Sequence, residues 1–260
     1  MGLMIPDWDV LVLLLAAAGV AGWIDAVIGG GGLILIPAML IAFPGAVPAT
    51  VLGTNKVAAI AGTSVAAFNY SRAVKVPRKL ALMSVPIAFT FSAAGALSAT
   101  AVSADVIRPL VIVLMLAVGI FVAVRPSFGS NSGESPPLTG RQMVGGCIAF
   151  AVIGYYDGIF GPGTGMFLII ALTALLSRNF IESAALAKIA NTATNLGALM
   201  VFAIGGNIWW ALGLMLAVTN IGGSILGSRT VLNRGTGVIR IALLTVVVLM
   251  SIKLAWDQWA

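Results

Sequence analysis

Histidine does not occur in this chain of 260 residues. Its absence removes the commonest proton shuttle and metal ligand, and with them any hydrolase built on a Ser-His-Asp triad. Cysteine occurs once, as Cys147, so neither an intrachain disulfide nor a cysteine-held metal cluster can form. Charge is scarce as well. Asp, Glu, Lys and Arg make up 8% of the residues, against about 25% in a soluble domain. That is too little polar surface to coat a water-soluble globule. The net charge of +6 does not imply nucleic-acid binding, because the positive residues fall in short loops and form no basic face. The expectations are no enzyme activity, no metal and no cofactor.

What the chain has in excess is hydrocarbon. Hydrophobic residues make up 60% of it, and its mean hydropathy is +1.10. Apolar runs recur, each of the ~20 residues that a helix needs to cross a bilayer core. The pattern predicts an all-α integral membrane protein. The first run does not read as a cleavable signal peptide: Asp7 and Asp9 stand where a basic leader would, and no small-residue cleavage site follows. Trp8, Trp209, Trp210, Trp256 and Trp259 sit at segment ends, as interfacial anchors do.

The chain repeats itself. A shift of 132 positions lays GWIDAVIGGG on GYYDGIFGPG, so that Gly22, Asp25, Gly29 and Gly31 meet Gly154, Asp157, Gly161 and Gly163. The same shift pairs Lys56 with Lys188, Ser92 with Ser224, Gly95 with Gly227 and Arg108 with Arg240. Matches of Asp, Lys and Arg at one constant offset mark two halves, 1–126 and 141–260, joined by a polar, flexible linker over 127–140. Each half predicts five segments: 9–28, 33–43, 49–70, 78–98 and 106–124, then 142–160, 165–176, 181–204, 208–228 and 237–256. The second segment of each half is too short to span unaided at 1.5 Å per residue and reads as a half-helix or re-entrant arm.

Loop charge predicts orientation. SRAVKVPRK in the first half carries Arg72, Lys75, Arg78 and Lys79, whereas its equivalent, IGGNI, carries none. In the next connection the second half has Arg229 and Arg234, and the first has only Asp105. Positive loops stay cytoplasmic, so equivalent loops lie on opposite sides and the repeats are inverted. With five passes per half, the linker between Arg125 and Arg141 falls in the cytoplasm and both termini fall outside. Inverted repeats with broken helices are a feature of transporters. Retention of an old duplication for packing alone is the other reading. Arg108 and Arg240, at the start of the last segments, read as snorkelling interfacial residues.

The candidate site is where helices break. Gly29, Gly30, Gly31 and Gly32 interrupt an apolar run from four positions after Asp25, and Gly161, Gly163, Thr164 and Gly165 do so from four positions after Asp157. A break exposes N–H groups and the positive end of the next helix dipole, a setting suited to an anion. Close packing of helices is the other use of such glycines. Lys56 and Lys188 are buried charges, each 31 positions after its aspartate, and cost about 2.5–3.5 kcal/mol apiece at a helix centre. Either each half holds one ion pair, tying its broken helix to the next, or the lysines bind substrate while Asp25 and Asp157 couple or gate. The two readings are compatible. Polar neighbours include Thr54, Asn55, Thr63 and Ser64 in the first half. In the second, Lys188, Asn191, Thr192 and Asn195 share one helical face fit to line a wet cavity.

With GWIDAVIGGGGLILIPAML, LGTNKVAAIAGTS and GYYDGIFGPGTGMFLI in view, the chain resembles the sulfite exporter TauE/SafE family of membrane transporters over essentially its whole length. The resemblance implies movement of small sulfur-containing anions, sulfite or organosulfonates such as sulfoacetate, across a bacterial inner membrane. The residues add a mechanism: a secondary transporter working by alternating access, with a proton as candidate coupling ion and lipid and the anion as partners. A homo-oligomer is compatible with it. A passive anion channel, or a carrier of another small organic anion, remains the alternative.

Overall fold

The computed structural model describes residues 6–100, 138–177 and 179–234. The predicted segments 106–124 and 237–256, most of the linker, and Arg108, Arg240, Trp256 and Trp259 lie outside the described residues. Among the described residues there are eight helices and no strand. They are α1 (Trp8–Ile28), α2 (Gly32–Ala42), α3 (Pro48–Ala73), α4 (Arg78–Thr100), α5 (Gly140–Ile159), α6 (Thr164–Leu176), α7 (Phe180–Ile204) and α8 (Trp210–Arg234). Five of them are long and apolar enough to cross a membrane. The ends are set locally. Pro48 opens α3, Thr139 and Gln142 form a capping box on α5, and the Asn179 side chain accepts from the Glu182 N–H to start α7. At 11 and 13 residues, α2 and α6 reach only about 16 and 20 Å.

Helices α3 and α7 form the centre. They pack on each other, α3 also on α8 and α7 on α4, while α1 lies along α8 and α5 along α4. The contacts repeat under the 132-position shift. Ser92 Oγ donates to the Thr194 carbonyl, and Ser224 Oγ to the Gly62 carbonyl. A Cβ on Gly95 would collide with the Tyr155 carbonyl oxygen, and one on Gly227 with that of Trp23. Thr63 and Asn195 are equivalents of each other, 132 positions apart, and they meet: Asn195 Nδ2 donates to Thr63 Oγ1 at 3.4 Å. That contact joins α3 to α7.

The registers of these contacts fix helix directions. Val57, Gly62 and Asn69 face Gly213, Asn220 and Ser228 in turn, so α3 and α8 run parallel. Gly22 faces Asn220 and Ala26 faces Gly227, so α1 runs parallel to α8. Leu80, Ala88 and Ser92 face Gly146, Gly154 and Gly158, so α4 and α5 run parallel. On the outside, Leu13, Leu82, Leu214 and Val218 are 58–75% exposed. Acyl chains accept such a surface and water does not.

Candidate functional site

Helix α1 stops because Gly29 turns left-handed (φ 84°), its N–H closing on the Asp25 carbonyl at 2.8 Å. Its equivalent Gly161 has the same conformation (φ 88°). A side chain is strained there, and glycine is not. The break is shorter than the sequence implies. Gly32 and Thr164 are already the first residues of α2 and α6, leaving Gly29–Gly31 and Phe160–Gly163 as the turns. The two turns touch. Met166 N–H donates to the Gly29 carbonyl at 3.3 Å, a Cβ on Gly165 would lie 2.6 Å from Gly29 Cα, and one on Gly32 would lie 3.3 Å from Pro162 Cα.

The charges meet there, and they corrected one expectation. Neither half pairs its own aspartate with its own lysine. Lys56 donates to Asp157 Oδ2 at 2.7 Å, to the Asp157 carbonyl at 3.0 Å and to Asn195 Oδ1 at 3.2 Å. Lys188 donates to Asp25 Oδ2 at 2.8 Å and to the Asp25 carbonyl. Each lysine therefore reaches across to the break of the other half. The reason is helix electrostatics. The last turns of α1 and α5 are negative dipole ends whose carbonyls can accept a further bond, as the Asp25 carbonyl does beside the Gly29 N–H, and an ammonium there suits both. At the other end of the turn, Asp25 Oδ1 accepts from the Gly31 N–H at 3.4 Å, placing a carboxylate at the positive start of α2. The first anion held at that helix start is thus the protein's own.

The two pairs are unequal. Lys56 and Asp157 are each 2% exposed at the side chain, and all three ammonium protons of Lys56 have acceptors. Lys188 is fully buried, but Asp25 keeps 16% of its side chain exposed, and among the described residues Lys188 has two acceptors for three protons. Around them, no described acceptor serves the buried backbone N–H of Gly30, Gly163 or Gly165. Asn55 is buried with no partner for its amide among the described residues. Unpaired donors of this kind cost about 1–3 kcal/mol each when buried.

Of the other expected site residues, Asn195 bonds Lys56 directly and the rest make no bond to either ammonium. Asn191 and Asn195 are buried and linked, Asn195 Nδ2 to Asn191 Oδ1 at 3.5 Å. Thr192 and Thr164 bond back to the Lys188 and Gly161 carbonyls. Thr54 Oγ1 accepts from the Trp209 N–H at 3.0 Å and anchors the turn before α8. Two tyrosines support the breaks. Tyr70 donates to the Ala26 carbonyl at 2.8 Å and Tyr156 to the Pro162 carbonyl at 2.6 Å. Neither has a tyrosine at its repeat equivalent (Phe202 and Ile24), so repeat matching offers no signal for them.

A membrane-spanning bundle whose charged residues converge on touching helix breaks is the architecture of a membrane transporter. Residues 14–254 match the family described as sulfite exporter TauE/SafE. The chain is 35% identical over 251 residues to "Probable membrane transporter protein YfcA" of Escherichia coli (strain K12), covering 95% of this chain and 90% of that protein. It is 34% identical over 253 residues to "Probable membrane transporter protein ORF9" of Sinorhizobium sp, covering 96% and 94%. A "Probable membrane transporter protein" of Haemophilus influenzae is 33% identical over 250 residues, covering 96% of each chain. No solved structure matches. The chain belongs to the sulfite exporter TauE/SafE family of membrane transporters.

Proposed function

We propose that this protein is a secondary transporter of a small sulfur-containing anion, sulfite or an organosulfonate, in the bacterial inner membrane, and that it co-transports protons. The observation that carries this is the pair of crossed bonds, Lys56 to Asp157 and Lys188 to Asp25, beside unpaired backbone donors. Two lysines and two aspartates sum to zero. A monoanion that takes one lysine leaves an uncompensated carboxylate, at a cost of about 3–5 kcal/mol in a buried pair. Protonating that carboxylate removes the cost and restores neutrality. Anion and proton therefore bind together, with Lys56 and Lys188, the N–H groups of Gly30, Gly163 and Gly165, and Asn191 and Asn195 on the anion. Asp25 and Asp157 take the proton, Asp25 first because it is the more exposed. The family's description as sulfite exporters supports the choice of cargo.

Alternating access follows from inverted repeats, and the helix directions support inversion. The four residues 74–77 span at most about 14 Å, so α4 must run back against α3. Since α5 follows α4, α8 follows α3 and α1 follows α8, α1 and its equivalent α5 run oppositely. The charged connection after α3 and the arginines of α8 then share one end of the molecule, as a cytoplasmic face requires.

The test is uptake into proteoliposomes of sulfite, sulfate, thiosulfate, taurine and sulfoacetate under an imposed proton gradient. Uphill accumulation of at least one sulfur anion, driven from the acidic side, is expected. Simple equilibration would make the protein a passive channel and sink the coupling. No flux of any of the five would sink the cargo assignment.

A further inference from the structure

Where α3 and α8 end side by side, a cleft of about 420 Å³ separates them, remote in sequence from both helix breaks. Its floor is polar: Asn69 Nδ2 donates to Ser228 Oγ at 2.7 Å. Its rim carries two exposed arginines, Arg72 and Arg229, and no acidic residue lines it. Neither guanidinium has a carboxylate partner among the described residues; Arg72 lies 5.3 Å over the Phe68 ring, which holds it at the cleft edge. The remaining walls, Val65, Phe68, Ile225 and Leu232, are apolar.

Two arginines without a carboxylate partner among the described residues, at one helix end above partly exposed apolar walls, match one kind of molecule. We propose that this cleft binds an anionic phospholipid, its phosphate between Arg72 and Arg229 and an acyl chain along Phe68 and Leu232. Arginine forks bind phosphate in bidentate geometry, and basic pockets between helices favour anionic headgroups. The cleft bridges α3 of one half and α8 of the other, so a bound lipid staples the halves together. The inference needs only that the chain sits in a bilayer, and it stands whatever the cargo.

The experiment is thermal unfolding of the purified full chain in neutral detergent, titrated with dioctanoyl phosphatidylglycerol. Dioctanoyl phosphatidylcholine, inorganic phosphate and sulfite serve as comparisons. The phosphatidylglycerol is expected to raise the melting temperature by roughly 3–6 °C at tenfold above its Kd, with the other three giving no such rise. Arg72→Gln combined with Arg229→Gln should abolish the rise while keeping the melting temperature seen in phosphatidylcholine. Phe68→Ala should weaken lipid binding severalfold, and Lys79→Gln, outside the cleft, should leave it intact. An equal response to phosphatidylcholine, or a rise that survives the double arginine variant, overturns the proposal. So does an equal rise with phosphate or sulfite, which would make the cleft a free-anion site.

Discussion

Lys56 and Asp157 stand 101 positions apart, in different halves, and their charged atoms meet at 2.7 Å in an almost fully buried pair. The bond makes the two repeats one electrostatic unit. Its counterpart, Lys188 with Asp25, does the same from the other side. Pulling the halves apart without compensation would strand four charges in a medium that solvates none of them.

The crossed arrangement predicts which double variants rescue which singles. Lys56→Leu or Asp157→Leu alone should destabilise by about 3–5 kcal/mol, because each leaves a buried charge unpaired. Lys56→Leu with Asp157→Leu should recover most of the loss. Lys56→Leu with Asp25→Leu, members of one half, should recover none. Thermal unfolding in detergent reads the cycle, and rescue by the same-half combination would contradict the pairing.

Asp25 should carry the coupling. Asp25→Asn stays neutral at all pH values, so it should still bind anion while losing most of the stimulation by a proton gradient. Uptake with and without the gradient, wild type beside variant, measures this. A fully gradient-driven Asp25→Asn would remove Asp25 from the proton path.

The crossing of the two turns should tolerate no added atom. Gly165→Ala places Cβ 2.6 Å from Gly29 Cα, and Gly29→Ala adds a left-handed φ to a backbone collision. Losses of more than about 3 kcal/mol, or failure to fold, are expected from overpacking of this severity. Gly45→Ala meets nothing within 4 Å and should be near neutral. Expression and melting temperature in membranes compare the three.

Thr54 separates support from binding. Thr54→Val leaves the Trp209 N–H without its acceptor, a loss of about 1–3 kcal/mol. Substrate affinity should not change, whereas Asn195→Ala, which removes a ligand of Lys56, should weaken it. A binding titration alongside a melting curve distinguishes the two effects.

The sequence by itself determined the solvent, the segments and the breaks. Hydrocarbon content requires a bilayer, and run length sets helix positions to within a few residues, as 78–98 against Arg78–Thr100 illustrates. Glycine after aspartate fixes where α1 and α5 stop, because conformation there is a local property. The repeat also marked Ser92 and Ser224, whose bonds across the centre are equivalent. Which lysine meets which aspartate was beyond it. Two copies offer the same residue types at the same spacing, so pairing within a half and pairing across halves read identically along the chain. Only the packing of α3 against α7 brings each ammonium to the far helix end and decides between them. The same holds for the use of Thr54 and for the cleft between Arg72 and Arg229: each joins segments that sequence distance leaves independent and that tertiary contact makes neighbours.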